Sequence, residues 1–530
     1  MRIKFNMHKN GIPAVALLLG LVPAGYAQLL KTGGYRLEGG IDSRIQSGGI
    51  VDVLISGQSV WVGTGRGLSG TTDSGTTWSN FSVSNGMGRG SVCAVAIRNS
   101  VVWAATCFDT LTPEGSLTAG GGLGYSTNQG LTWHWMQQPV DVQANPNGGA
   151  VAGGMRNVVY TLAQQLMQRA KDAVFEAEGV RVATNIQNIT YDIALTDSAV
   201  WIASFGGGLR KSSDLGKTWR VVTVDGLAFN PLAHLTHRVF SVHHDGEALW
   251  AGTAGGVHKS TDGGKTWATF SHQNQKQGIS GNFVVAIARQ KTGTRNIVWA
   301  ATIETTVESK DSTEFKAVSK SEDGGLTWST VLKGEFAHNF AFDDSVVFVA
   351  TDRGLFKSPD CGGTWAAFSR IADAENGEVV YSNAVNCAAS GRDHGLWVGT
   401  NDGLALTRND GLAWRVFRAF QTPGAGNEPK TYAYPNPFSP QRSNLLGDEG
   451  HVRFQYRTER PTRVTLRIYD FGMNPVKTVV QQRERPVAGE YTEVWNGKND
   501  VGDDVAIGVY FYKVELEGAT PFWGKVLVVN

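Results

Sequence analysis

The sequence has little net charge, few cysteines and a single long hydrophobic run. Its 48 Lys and Arg residues nearly balance 47 Asp and Glu residues, for a formal net charge of +1. This balance excludes the strongly basic surface of a dedicated nucleic-acid-binding protein. The hydrophobic run covers 12–22, and no other stretch approaches the roughly 20 apolar residues that a transmembrane helix needs. We therefore expect neither a nucleic-acid partner nor a transmembrane segment.

Cysteine is scarce, with four residues in the chain: Cys93, Cys107, Cys361 and Cys387. Four are too few for a disulfide scaffold, and no CxxC or Cys/His spacing fits a metal or haem site. We expect no metal and no cofactor. A hairpin predicted to turn at 98–100 would place Cys93 and Cys107 nearly opposite each other. The sequence is compatible both with a disulfide between them and with two buried free thiols.

The first 27 residues have the composition of a secretory signal peptide. Arg2, Lys4 and Lys9 precede the apolar run, and small residues at 25–27 suit a signal peptidase. The mature chain is then expected to begin near Gln28 and to be secreted or held at the outer cell surface.

Glycine and tryptophan are abundant, and one octapeptide of the form S-x-D-x-G-x-T-W occurs seven times between 71 and 414. A carboxylate or amide at its third position accepts backbone N–H groups, and the following glycine adopts positive φ without steric cost. The octapeptide therefore predicts a locked β-turn in which the third residue is structural. The seven residues are Asp73, Asn128, Asp214, Asp262, Asp323, Asp360 and Asn409.

Each octapeptide follows an apolar alternating stretch and a strand of the VWVGT type, as in IVDVLISG followed by SVWVGT. This order predicts four strands per copy. One such sheet cannot bury both of its faces, whereas seven packed radially can. The predicted fold class is all-β, with a seven-bladed β-propeller over 28–420.

The octapeptide resembles the Asp-box, or BNR, repeat of sialidases, sortilin-type receptors, xyloglucanases and photosystem assembly factors. The resemblance covers roughly 48–420 and implies a propeller whose Asp-box turns lie opposite the binding face. Sialidases of this family carry a substrate-binding arginine on an Arg-Ile-Pro motif, but the sequence at 44–46 is Arg-Ile-Gln. Xyloglucanases of the family place paired carboxylates between two propellers, and this chain has one.

We therefore assign no catalytic residues and expect a non-catalytic propeller that binds an extracellular glycan or protein. A carbohydrate-active glycoside hydrolase, sialidase-like or xyloglucanase-like, is the alternative. Arg66, Arg353 and Asp402 fall at equivalent short loops on the face opposite the octapeptides. We expect them to converge near the central channel as ligand-binding residues, although solvated loop charges would follow the same pattern. Residues 105–122 and 301–318 are expected to form long loops on this face.

A segment of about 50 residues, 138–186, separates the second and third repeats. Its apolar residues recur at helical spacing among good helix formers, which predicts an amphipathic helix within an otherwise all-β domain. A seal over the rim and a lid or partner-docking helix are both open interpretations. The residues are Val159, Leu162, Leu166, Ala170, Ala173 and Ala177.

After Phe420 the repeat ends, 421–430 has the composition of a Pro/Gly linker, and strand-like alternation returns over 431–530. This last segment resembles the hook-capping type of immunoglobulin-like domain at the C termini of proteins exported by type IX secretion. The matching motifs are YPNPF at 434–438, Ile-Tyr-Asp at 468–470, Trp-Asn-Gly at 495–497, Gly-Val-Tyr at 508–510 and Gly-Lys at 524–525. The resemblance implies a β-sandwich recognised by the secretion machinery. An ordinary accessory sandwich is the alternative.

Overall fold

The computed structural model describes residues 41–113, 115–141, 180–305, 313–391, 395–424 and 428–530. These residues form an all-β structure, which confirms the all-β part of the predicted fold class. The helical segments among them are two single-turn 3-10 helices, Val83–Asn85 and Leu235–His237. No helix within the described ranges is long and apolar enough to cross a membrane.

Seven antiparallel sheets follow one another along the chain, and each is built from consecutive strands. Sheet 1 contains β1 (Ile41–Asp42), β2 (Ile50–Ser56), β3 (Ser59–Thr64), β4 (Gly67–Thr71) and β5 (Trp78–Phe81), with β1 added beside β5. Sheet 2 contains β6 (Ser91–Arg98), β7 (Val101–Thr112), β8 (Gly115–Ser126) and β9 (His134–Met136). Sheet 3 contains β10 (Thr190–Leu195), β11 (Val200–Ser204), β12 (Gly208–Ser212) and β13 (Arg220–Val222). Sheet 4 contains β14 (Val239–His244), β15 (Leu249–Thr253), β16 (Gly256–Ser260) and β17 (Ala268–Phe270).

The last three sheets repeat the same order. Sheet 5 contains β18 (Phe283–Thr292), β19 (Arg295–Ile303), β20 (Ala317–Ser321) and β21 (Ser329–Val331). Sheet 6 contains β22 (Ala337–Asp343), β23 (Val346–Thr351), β24 (Gly354–Ser358) and β25 (Ala366–Ala367). A small hairpin of β26 (Ala372–Asp373) and β27 (Glu378–Val379) precedes sheet 7, which contains β28 (Val385–Ser390), β29 (Leu396–Thr400), β30 (Gly403–Thr407) and β31 (Arg415–Phe417).

We call the inner edge strand of each sheet its first strand; these strands are β2, β6, β10, β14, β18, β22 and β28. Each first strand contacts the first strand of the next sheet, and the cycle closes where β28 of sheet 7 contacts β2 of sheet 1. Trp78 of sheet 1 packs edge-on against Trp397 and Phe417 of sheet 7, at centroid distances of 6.2 and 5.7 Å. A closed cycle of antiparallel sheets around their first strands is the arrangement of a β-propeller. We call the end where the first strands begin the upper face, and the end that carries the octapeptide turns the lower face.

The octapeptide turns close on their own side chains. Asp262 Oδ1 accepts the backbone N–H groups of Lys265 (2.9 Å) and Thr266 (3.0 Å), and Oδ2 accepts the Thr266 hydroxyl (2.6 Å). The Ser260 hydroxyl donates to Asp262 Oδ1 and accepts the Gly264 N–H, both at 2.8 Å. Four donors thus fix one exposed carboxylate, and the turn is specified by residues within eight positions of each other.

Four of the turns, those of sheets 4 to 7, are also held by a lysine of the preceding sheet. Lys211 of sheet 3 donates to the Gly263 carbonyl of sheet 4 at 3.0 Å, and its ammonium lies 4.7 Å from the centroid of the Trp201 ring. That ring packs so closely on Gly264 that a Cβ there would lie 2.3 Å from Trp201 Cη2. Equivalent lysines of sheets 4, 5 and 6 also lie over an aromatic ring of their own sheet and donate a charge-assisted hydrogen bond to the octapeptide turn of the next sheet. They are Lys259, Lys320 and Lys357.

Residues 431–530 form two antiparallel sheets around one hydrophobic core. One sheet contains β32 (Thr431–Tyr434), β33 (Val452–Thr458) and β36 (Gly489–Trp495). The other contains β34 (Thr462–Tyr469), β35 (Pro475–Arg485), β37 (Gly508–Leu516) and β38 (Phe522–Val528). We refer to this unit as the C-terminal sandwich.

The sequence motifs of the C-terminal sandwich meet at its closing strand. Asn436 of YPNPF donates its amide to the Lys525 carbonyl and accepts the Leu527 N–H, each at 3.0 Å, so the side chain pairs with β38 as a strand would. Gly524 faces Tyr512, whose hydroxyl oxygen would lie 2.2 Å from a Cβ at this position. The YPNPF segment and the Gly-Lys step are therefore parts of one packing arrangement.

Two long loops, at 105–122 and 301–318, and one helix were expected from the sequence. Residues 105–122 are mostly strand rather than loop, because β7 and β8 each extend to 12 residues and pair almost to their common turn. The expected loop at 301–318 begins at the end of β19 and has its centre, 306–312, outside the described residues. The predicted helix also lies outside them, since 142–179 are not described, and it stays a prediction.

Candidate functional site

Each first strand of the seven sheets carries a β-bulge at the same place, where one residue has no partner on the second strand. A bulge turns an extra side chain out of the ladder. All seven extra residues line a central cavity of about 710 Å³. They are Val51, Cys93, Tyr191, Phe240, Val285, His338 and Asn386.

The residue after the bulge links neighbouring sheets at four of the seven junctions. Its side-chain oxygen accepts a backbone N–H from the first strand of the following sheet, at 2.9 to 3.1 Å. The four residues are polar and small, and the other junctions have Ala or Cys there. They are Asp52, Asp192, Ser241 and Asn339.

Two of these residues place carboxylates in the cavity. Burial and, to a smaller extent, the nearby charge of Asp192 raise the pKa of Asp52 to about 7, against hydrogen bonds from the Val95 and Val53 backbone that lower it. Burial likewise raises the pKa of Asp192 to about 6, against hydrogen bonds from Val242, Ser241 and Ile193. Between pH 6 and 7 the cavity wall therefore binds protons that ordinary carboxylates would have lost.

The upper mouth of the cavity is aromatic on one side. Four successive sheets, 3 to 6, each place a phenylalanine near the upper end of the cavity lining: Phe205, Phe240, Phe283 and Phe336. Phe240 lies 4.4 Å from Phe283 and 6.0 Å from Phe205, measured between ring centroids. On the opposite side the lining is polar at sheets 7 and 2, through Asn386, Ser91, Asp109 and Thr118, and sheet 1 contributes Val51 between them. The mouth is thus amphipathic, with an aromatic wall facing a polar one.

The lower end of the cavity is charged, but its charges are paired. Arg98 is bonded to Asp197 and to the Leu195 carbonyl, and Arg289 lies 3.7 Å from an Asp245 oxygen. Burial lowers the pKa of His243 to about 4, so this ring is neutral at physiological pH. These groups close the lower end rather than present free cations to a ligand.

The three residues predicted to bind ligand all lie on the upper face, in turns between second and third strands. Arg353 is two-thirds exposed and pairs with Glu335 of the same sheet. Arg66 occupies the corresponding turn of sheet 1, next to the C-terminal sandwich. Its positive charge opposes the rise that burial causes in the pKa of Tyr432 and Tyr434. Asp402 is only 3% exposed, because Arg418 and Arg453 enclose it. None of the three lines the cavity.

Sequence reasoning missed the residues that do line the cavity. The bulge had a partial signal, because in five of the seven first strands the residue after the bulge is small or polar and lies between two apolar ones, as in Val-Cys-Ala-Val and Val-Phe-Ser-Val. Strict alternation cannot place that extra residue. Among the described residues, no group of three or more His, Cys, Asp or Glu side chains is arranged to hold a metal ion.

Comparison with known proteins gives a likeness of fold alone. No protein-family model and no curated protein matches the chain. The GH74 enzyme of Niastella koreensis is 14% identical, with a TM-score of 0.46 over 94% of this chain and 74% of that one. PorZ, a surface component of the type-IX secretion system of Porphyromonas gingivalis, is 16% identical, with a TM-score of 0.37 over 91% and 66%.

The extracellular domain of a two-component system of B. thetaiotaomicron is 14% identical, with a TM-score of 0.42. The alignment covers 84% of this chain and 47% of that domain, so the chain spans about half of its length.

Proposed function

We propose that the chain is an exported, seven-bladed β-propeller that binds an extracellular glycan or protein at the upper mouth of its central cavity. The observation that carries this proposal is the amphipathic mouth, in which phenylalanines of four successive sheets face a polar wall. A cavity of about 710 Å³ is within the range of small-ligand sites. An aromatic wall opposite hydrogen-bonding groups suits a sugar ring or an aromatic side chain of a peptide.

Seven sheets in a closed cycle of contacts support seven blades. The octapeptide residues are proposed to be structural, since their oxygens are used within their own turns on the face away from the mouth. For the C-terminal sandwich we propose an immunoglobulin-like domain that the secretion machinery recognises. The joining of YPNPF to the Gly-Lys strand supports this assignment.

Arg66 and Arg353 are proposed to border the ligand at the upper face. Asp402 is proposed to hold the C-terminal sandwich rather than a ligand, because both of its oxygens are taken by arginines and by the Tyr381 N–H.

A glycoside hydrolase is the second candidate, favoured by one observation. Asp52 and Asp192 share the cavity, and both have a raised pKa, as a general acid requires. Against this role, Asp192 accepts three hydrogen bonds within 2.9 Å that fix it between sheets 3 and 4.

The test is an array of glycans and peptides probed with the full chain and with Phe240→Ala. The matched control is Leu131→Ala, a residue 85% exposed in an octapeptide turn on the lower face. Binding that falls at least tenfold in a folded Phe240→Ala protein, and is kept in the control, supports the proposal. Equal binding by both variants contradicts it. If the wild type hydrolyses an arrayed glycan and the Asp52→Asn variant does not, the protein is a glycoside hydrolase and the binding proposal is wrong.

A further inference from the structure

We propose that Cys93 and Cys107 form a reversible disulfide in the wall of the central cavity. Neither thiol is used by the ligand-binding proposal, and the inference does not depend on it. It begins from the strand register around the bulge of sheet 2.

The bulge brings two cysteines of adjacent strands together. Ser91 lies opposite Cys107, Val92 opposite Thr106 and Ala94 opposite Ala105, so Cys93 is the unpaired residue of β6. Without the bulge, Cys93 would be a diagonal neighbour of Cys107, at the limit of a disulfide's reach. The extra residue places Cys93 between the positions opposite Thr106 and Ala105, nearer to Cys107 than a diagonal neighbour would be, and the Cys107 thiol is close enough to raise the pKa of Cys93. Both residues line the same cavity.

The other two cysteines have no such neighbour. Cys361 lies in the octapeptide turn of sheet 6, where its sulfur accepts a hydrogen bond from Gln290 at 3.7 Å. Cys387 lies in β28, packed against Ile50 and Gly399. The two belong to different hydrophobic clusters and are almost fully buried. Among the four cysteines, the structure therefore brings together one pair.

The chemistry is thiol–disulfide exchange with a low-molecular-weight disulfide such as oxidised glutathione. The Cys93 thiol, half-buried and facing the cavity, loses its proton and attacks a glutathione sulfur, which releases one reduced glutathione. The Cys107 thiolate then attacks the Cys93 sulfur of the mixed disulfide and releases the second. Two protein thiols become one disulfide, and one glutathione disulfide becomes two thiols.

The environment sets the rate of this exchange. Burial raises the pKa of Cys93, and its hydrogen bond and charge interaction with Cys107 raise it further. Little thiolate is then present near neutral pH, so exchange is slow there and accelerates in alkaline solution. Once formed, the bond ties β6 to β7 on the polar side of the mouth. An oxidising compartment outside the cytosol, which the proposed export would reach, supplies the oxidant.

The experiment counts thiols in the full chain after equilibration with oxidised or with reduced glutathione. Samples are alkylated, digested without reduction and mapped by mass spectrometry. We expect two of the four thiols to disappear under oxidising conditions, with one cross-linked peptide pair joining Cys93 to Cys107. Reduced glutathione should restore all four.

Three variants sharpen the test. Cys93→Ser and Cys107→Ser should each keep three thiols under oxidising conditions, whereas Cys387→Ser should keep one. Four thiols left in the oxidised wild type, or a bond that involves Cys361 or Cys387, would overturn the proposal. If a serine variant fails to fold, the peptide map of the wild type alone decides. A thermal midpoint that dithiothreitol lowers in the oxidised wild type, but not in Cys93→Ser, is the expected second readout.

Discussion

Arg453 of the C-terminal sandwich forms a two-point ion pair with Asp402 of sheet 7, and both side chains are at most 3% exposed. Arg453 Nε donates to Oδ1 at 3.0 Å and Nη2 donates to Oδ2 at 2.6 Å. Arg418 donates to the same carboxylate at 3.2 Å, and both guanidinium groups lie near Glu378. The two parts of the chain are thus joined by a buried cluster of two arginines and two carboxylates.

Removing one partner from this cluster should be strongly destabilising. Arg453→Met leaves Asp402 buried with one arginine fewer, and breaking a buried ion pair costs about 3–5 kcal/mol. The control is Arg463→Met in the same sandwich, which breaks an exposed pair with Glu484 and should cost at most about 1 kcal/mol. Chemical denaturation followed by tryptophan fluorescence measures both. Equal losses in the two variants would show that the cluster does not join the domains.

Substitutions at two adjacent glycines of one octapeptide distinguish the cost of backbone strain from the cost of side-chain crowding. Gly263 and Gly264 both have positive φ, at 73° and 85°, but only Gly264 packs against Trp201. Gly263→Ala should cost about 1–2 kcal/mol for the left-handed conformation alone. Gly264→Ala should cost a further 1–3 kcal/mol, roughly, because the methyl group displaces the indole. Denaturant midpoints compare them, and a Gly263→Ala protein as unstable as Gly264→Ala would contradict the packing.

The octapeptide aspartates should make the propeller sensitive to acid. Hydrogen bonds from the Thr218 hydroxyl and backbone, and from Ser212, lower the pKa of Asp214 from its usual value of 3.8 to about 2. A lowered pKa in the folded state gives stability that is present above pH 4 and lost as the pH falls towards 2. The thermal midpoint should therefore drop by several degrees in this window.

Asp214→Asn tests the same argument, since Asn128 and Asn409 already form this turn without a titrating group. Five of the seven turns carry aspartate, so the variant should remove about a fifth of the part of the acid-dependent loss that comes from the turns. Its stability at pH 7 should change little. Acid sensitivity identical to that of the wild type would count against the turns as its source.

Asp52 should make the folded protein less stable as the pH rises, which is the opposite of the effect of the octapeptide aspartates. Its pKa of about 7 in the folded protein lies above the usual 3.8, so the folded state loses relative stability as the pH rises from 4 to 7. Asp52→Asn keeps an oxygen for the Val95 N–H without a charge. It should be more stable than the wild type at pH 8, by on the order of 4 kcal/mol for a shift of about three pKa units, and similar to it at pH 4. Asp448→Asn, on the exposed surface of the C-terminal sandwich, is the control. A difference between wild type and Asp52→Asn that does not change with pH would refute the buried charge.

The sequence predicted what short-range chemistry determines. Asp262, Gly264 and Thr266 close their turn among themselves, so the octapeptide can be interpreted without knowledge of the rest of the chain. Repetition of that turn then predicted the all-β fold.

Features that depend on distant residues were not accessible in the same way. Asp402 has the sequence context of an exposed loop charge, and its burial depends on Arg453, 51 residues further along the chain. The aromatic mouth is likewise assembled from single phenylalanines of four sheets, none of which forms a local motif. The bulge residues lie between these cases, since their pattern repeats in the sequence but their direction is set by the ladder.

The contact between sheets 1 and 7, which closes the ring, affects the order in which the protein can fold. Sheets 1 and 7 do not share a strand in the described part of the chain, and their contacts include Trp78 with Phe417 and the Asn386 amide with the Ile50 carbonyl. The last two residues are 336 positions apart. A chain that emerges N terminus first must keep the apolar edge of sheet 1 uncovered until nearly the whole propeller has followed it. Under the export proposed above, a chain that crosses the membrane before the ring closes would carry this edge uncovered, and a partner that covers it would favour that order.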